Sequence, residues 1–145
     1  MLIRILGIIA LAFTALLVGC GSQSPMEKLR AELQSVKSNA ATAHMVADAW
    51  AHGNVPAAYA KNSLQSAEGE LKSAVEALVE LPEAQKPEDD GTTLQDHLQR
   101  IEKSVEDIAA AAEKEDRAAV AGQVEKLSAE EEALDRIARR LGADE

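Results

Sequence analysis

Apolar residues recur along this chain at alternating steps of three and four, the spacing of one helix face, in four stretches set apart by polar or Gly- and Pro-bearing breaks. The first stretch holds Leu29, Leu33, Val36, Ala40, Ala43, Ala47 and Trp50. It opens at Ser24-Pro25-Met26-Glu27, a capping Ser followed by Pro at the first helical position and Glu at the third. Gly53 closes it, and Asn54 with Pro56 is read as the start of a second helix. That helix carries Ala57, Ala60, Leu64, Ala67, Leu71, Ala74, Leu78 and Leu81. A connection so short makes the two helices antiparallel neighbours.

Residues 82–91 contain two prolines and no apolar period, so they read as a flexible linker. Thr92 with Gln95 offers a capping box for a third helix, whose stripe is Leu94, Leu98, Ile101, Val105, Ile108 and Ala112. No Gly or Pro separates Thr93 from Ala121, so one long bent helix is the alternative to two helices. The phase decides between them. The following stripe, Val120, Val124, Leu127, Leu134, Ala138 and Leu141, lies one residue out of register with the preceding one. The slip predicts a turn over 113–116 with Asp116 as N-cap of a fourth helix. Gly142 ends it after Arg139 and Arg140, cations that suit the negative end of the helix dipole.

Four helices of roughly 22 to 28 residues would be about 33–42 Å long. Two short-turn hairpins then predict an all-α fold, an antiparallel up-down-up-down four-helix bundle over 25–145. One position breaks the pattern: Glu131 occupies the core register between Leu127 and Leu134. An unpaired carboxylate is costly to bury, so Glu131 is expected to turn outward beside Glu130 and Glu132; the alternative is a buried pairing with His97 or Arg100.

Composition narrows the function. Aromatics make up 2% of the chain, too few for the strands of a sandwich or barrel. Fifteen Lys and Arg against 25 Asp and Glu give a formal charge of −10, without the clustered cations that nucleic acid requires. No nucleic-acid partner is expected. The single Cys cannot form an internal disulfide.

That cysteine sits at the end of a targeting segment. Arg4 precedes an apolar run from Ile5 to Val18, interrupted only by Gly7 and Thr14. About 14 helical residues rise roughly 21 Å, short of the ~30 Å hydrocarbon core, so a secretory signal over 1–19 fits better than a membrane span. Leu17-Val18-Gly19-Cys20, followed by Gly21 and Ser22, resembles the lipobox of bacterial lipoproteins. The resemblance covers residues 1–22. It implies cleavage before Cys20, a diacylglyceryl thioether on its sulfur and an acyl chain such as palmitate on the new terminus, with 20–24 left as a lipidated tether. In that family Asp after the cysteine favours inner-membrane retention, so Gly21 and Ser22 imply the periplasmic face of the outer membrane in a cell with two membranes. Two acyl chains anchor stably without basic residues. Loss of Arg4 takes the charge from −10 to −11, and such a body is expected to stand off an anionic lipid surface.

Candidate chemistry in the remaining chain is sparse. His44, Asp48 and His52 fall at i, i+4 and i+8 on one strip of helix, where they could hold Zn²⁺ or Cu²⁺, or simply form a weak surface ion pair. Met45 points about 100° away from His44. His97 with Arg100 echoes a phosphotransfer helix only faintly, and an extracytoplasmic protein lies away from ATP. No haem motif, Gly-rich phosphate loop, nucleophile elbow or zinc-protease helix occurs, so no cofactor beyond the covalent lipid is expected. Trp50 and Tyr59 flank one turn and are candidates for docking a partner, with Trp50 read as a core plug and Tyr59 as exposed rim. The expectation is a non-enzymatic binding, adaptor or spacer module of the envelope, with a metal buffer as the alternative.

Overall fold

A computed structural model describes residues 24–89 and 91–142. The expected signal segment, Cys20 and the expected tether up to residue 23 lie outside the described residues. Four helices are present among the described residues: α1 Pro25–Ala51, α2 Ala57–Val79, α3 Leu94–Glu113 and α4 Arg117–Arg140. Each packs on its sequence neighbour, and α4 closes the ring against α1. This is the expected up-down-up-down bundle. No helix among the described residues is long and apolar enough to cross a membrane.

The helix ends follow from local chemistry. Ser24 Oγ accepts from the Glu27 amide at 3.2 Å while the Glu27 carboxylate accepts from the Ser24 amide at 2.7 Å, the reciprocal box read from the sequence. After α1, Gly53 takes φ +77°, its N–H reaches Trp50 O, and Asn54 N reaches Ala49 O. That is a Schellman closure, for which an L side chain at Gly53 would be strained. Asn54 is thereby part of the stop of α1, and Pro56 caps α2 without a side-chain bond.

The turn over 113–116 is also present. It uses the same closure with an ordinary residue: Glu115 sits at φ 57°, Glu115 N bonds Ala112 O and Asp116 N bonds Ala111 O. The Asp116 carboxylate then accepts from the Ala119 amide at 3.0 Å, as expected of an N-cap.

The core has two textures. Between α1 and α2, Ala40, Ala43, Ala47, Ala60, Ala67 and Ala74 are buried, so the axes can approach closely. Between α3 and α4, the contact is built from larger groups, among them Leu98, Ile101, Ile108, Leu127, Leu134 and Ile137. Val46, Val75, Ala109, Ala133 and Ile137 are buried although they lie off the predicted stripes. A helix in a bundle touches two neighbours, so its apolar face is wider than a two-helix seam.

The connection expected as a linker is built into the bundle. Pro82–Gln85 forms a 3₁₀ turn, and β1 Glu88–Asp89 pairs antiparallel with β2 Thr92–Thr93, with Glu88 opposite Thr93 and Asp89 opposite Thr92. Because Thr92 belongs to this ladder, the capping box of α3 falls one residue later than expected. Thr93 Oγ1 accepts from the Asp96 amide at 3.2 Å, and the Asp96 carboxylate accepts from the Thr93 amide at 3.3 Å and hydroxyl at 2.7 Å. Ala84 is buried against the core.

Asp89 fastens this strap to α4. Its buried carboxylate accepts from Arg136 Nε at 2.8 Å and Arg140 Nη2 at 2.6 Å. The Arg136 bond, with the field of both guanidinium groups, holds the Asp89 carboxyl below the usual carboxylate range despite burial. A depressed carboxyl contributes stability that is complete above its unfolded-state value and is lost as pH falls through the lower folded-state value. Thermal melts at falling pH should therefore decline less steeply for Asp89→Asn than for the wild type, from a lower neutral-pH starting point. Parallel curves would remove this role.

Candidate functional site

The aromatic turn region sits at the end of the bundle formed by the α1–α2 and α3–α4 turns. Trp50 is 1% exposed, and Arg117 from the first turn of α4 lies over its ring with Cζ 5.4 Å from the centroid. Its indole Nε1 has no hydrogen-bond partner among the described residues. Trp50 is thus the core plug at that end and is covered. Tyr59, on the first turn of α2, is 54% exposed. Lys61 bonds Glu115 at 3.2 Å and Gln65 donates to Glu113 at 2.8 Å, fixing the α3–α4 turn against α2. Of the two aromatic candidates, then, only Tyr59 is available to a partner.

The histidines do not converge. His44 Nδ1 donates to Glu131 Oε2 at 2.5 Å, across the α1–α4 contact, whereas His52 pairs with Asp48 on the surface of α1 at 3.3 Å. His44, Asp48 and His52 share a strip but have different partners. Among the described residues, no group of three or more His, Cys, Asp or Glu could hold a metal ion.

Two adjacent glutamates on α4 reach in opposite directions. Glu131 does not turn fully outward as expected; its side chain is 22% exposed because the His44 imidazole offers a donor at the rim of the core. Glu130 turns toward α3, where its Oε2 accepts from His97 Nδ1 at 2.6 Å and its Oε1 lies 3.5 Å from Arg100. An ionised carboxylate only accepts, so Nδ1 carries the proton in both imidazole pairs. His97 is buried, and its Nε2 has no partner among the described residues. The sequence led to the expectation that Glu131 turns outward, with a buried pairing of Glu131 to His97 or Arg100 as the alternative, and it is Glu130 that pairs with both. The available signal was His97 itself, an imidazole in the core register beside Leu98. Both pairs act as polar pins that hold α4 against α3 on one side and α1 on the other, with Lys37 and Asp135 adding a bond at 2.9 Å on the α1 side.

The surface carries shallow grooves. One, of about 660 Å³, runs along α1 and α2 and is lined by small polar groups such as Ser35, Asn39, Ser66 and Ser73. A second, of about 510 Å³, follows α3 and α4 and places Arg100, Lys103 and Lys126 beside Asp107 and Glu130, with Ser104 also in its lining. Comparison of the chain with family models, with curated proteins and with solved structures finds no match.

Proposed function

We propose that this chain is a lipid-anchored protein of the bacterial envelope that acts without catalysis, as a helical module that binds, adapts or spaces. The observation that carries the anchor is the position of the only cysteine: Cys20 closes the short apolar run in a Leu-Val-Gly-Cys frame. Small residues before the cysteine give a peptidase access to the backbone, and its thiol is the nucleophile that takes up lipid. Gly21 and Ser22 favour the outer membrane where the cell has two. The module reading draws on the shape of the bundle. Tyr59 is exposed at the end away from the anchor, and aromatic side chains at such positions are the usual centres of protein contacts. The net acidic charge of the chain favours a partner with a basic or apolar contact face.

One experiment tests both parts. The affinity-tagged chain is recovered from detergent-solubilised envelope and read for palmitate and for co-purifying protein. The wild type should carry label, Cys20→Ser should remain an unlabelled precursor, and Tyr59→Ala should keep the label while losing any co-purified protein. Equal labelling of Cys20→Ser ends the anchor reading. Protein recovered equally with Tyr59→Ala removes that docking point, and no recovered protein with either form leaves a spacer as the better reading.

A further inference from the structure

α1 begins and α4 ends at the same end of the bundle, where Arg30 Nε donates to the Leu141 carbonyl at 2.6 Å. The strap between α2 and α3 lies at this end as well. Here, within the last turns of α4, Arg136, Arg139 and Arg140 line with Asp89 an open cleft of about 330 Å³. Three guanidinium groups against one carboxylate leave its lining with a net charge of +2, in a chain whose total is −10. Asp89 orients Arg136 and Arg140, while Arg139 is exposed and makes no ion pair among the described residues. Guanidinium forks match the oxygens of a phosphate group in pairs.

The length of chain before α1 says what meets this end. Three residues lie between Cys20 and Ser24, and the four backbone steps from one to the other span at most about 14 Å when fully extended. On the reading that Cys20 is lipidated, on which this inference rests, the arginine-bearing end is held next to lipid headgroups. Charges more than about 8–10 Å apart are largely screened at physiological salt, so the acidic flanks count for less than the end that faces the bilayer. Acids of the opposite sign also lie at this end: Glu27 is engaged in the α1 cap and Asp96 in the α3 cap, while Glu80, Glu83 and Glu88 at the end of α2 and in the strap are offset by Lys28, Arg30 and Lys86.

We propose that the Arg136, Arg139 and Arg140 cleft binds phosphodiester groups of anionic lipid headgroups in the membrane that holds the anchor. The bundle stands on its arginine-bearing end, and only its flanks and far end are kept off the surface by acidic charge.

The test uses the mature lipidated protein in vesicles of phosphatidylcholine alone or of phosphatidylcholine with phosphatidylglycerol. Phenylglyoxal modification of each arginine is followed by mass spectrometry, and retention on the vesicles is measured alongside. Arg139 should react about fivefold more slowly in the anionic vesicles, and raised salt should restore the rate. Arg117, at the far end, should react equally in both. In a second arm, Arg139→Glu, which breaks no ion pair, should keep the helical circular dichroism of the wild type and should leave Arg136 and Arg140 less protected by anionic lipid. Equal Arg139 rates in both vesicles overturn the proposal. Equal protection by inorganic phosphate in neutral vesicles assigns the cleft to free phosphate and overturns the headgroup. Loss of the protein from both vesicles overturns the anchor reading and the docking with it.

Discussion

Truncation of Trp50 to alanine is expected to destabilise the bundle by about 3–5 kcal/mol, the usual range for emptying a buried aromatic site. Trp50 is almost completely enclosed and is the largest of the fully buried side chains. The buried positions at that end of α1 and α2 include Ala43, Ala47 and Ala60, short groups that cannot swing into a vacated space, so the site should collapse poorly. Against a total stability of about 5–15 kcal/mol, such a loss would leave a substantial unfolded fraction. Urea unfolding followed by circular dichroism measures it, since the variant has no other tryptophan to report. Arg117→Ala, which uncovers the ring but leaves it in place, should cost about 1 kcal/mol or less. A loss for Trp50→Ala no larger than that for Arg117→Ala would mean that the indole is not the plug of that end.

The second large effect is expected at Glu130. Its replacement by alanine leaves His97 with both ring nitrogens unpaired inside the protein, and should cost about 3 kcal/mol. The pair as a whole has a different worth from either half. His97→Leu combined with Glu130→Met replaces both by apolar groups of similar size and should return stability to within about 1 kcal/mol of the wild type. That contrast, a costly single change and a nearly neutral double change, is the signature of a buried pin. If Glu130→Ala unfolds at the same urea concentration as the wild type, the imidazole is satisfied in some other way.

The four helices and the α3–α4 turn were legible because burial imposes a period on the sequence. The turn is the instructive case: no glycine marks it, yet the one-residue slip between Ala112 and Val120 locates it, and Glu115 takes the left-handed conformation that glycine usually fills. What was not legible depended on contacts distant in sequence. The segment 82–91 has no apolar period, and nothing local indicates that Asp89 will meet Arg136 and Arg140 some fifty residues on. The cap of α3 shifted for the same reason, since Thr92 belongs to a ladder that only tertiary structure creates. Glu130 and Glu131 are consecutive acids in a run of three, and their identical chemistry hides the fact that two of them have partners on different helices. The sequence also marked Trp50 and Tyr59 as one aromatic pair, whereas packing separates them into a covered and an accessible ring.

The even number of helices brings the start of α1 and the end of α4 to one end and leaves Tyr59 at the other, about 40 Å away along the 27 residues of α1. A pull between the two places would act along the axis of α1. The contacts of α1 with α2 and α4 would then be loaded together, in shear, instead of being opened one turn at a time. Forced separation is governed by the unfolding rate, so a bundle held in this way can outlast brief mechanical stress even with ordinary equilibrium stability.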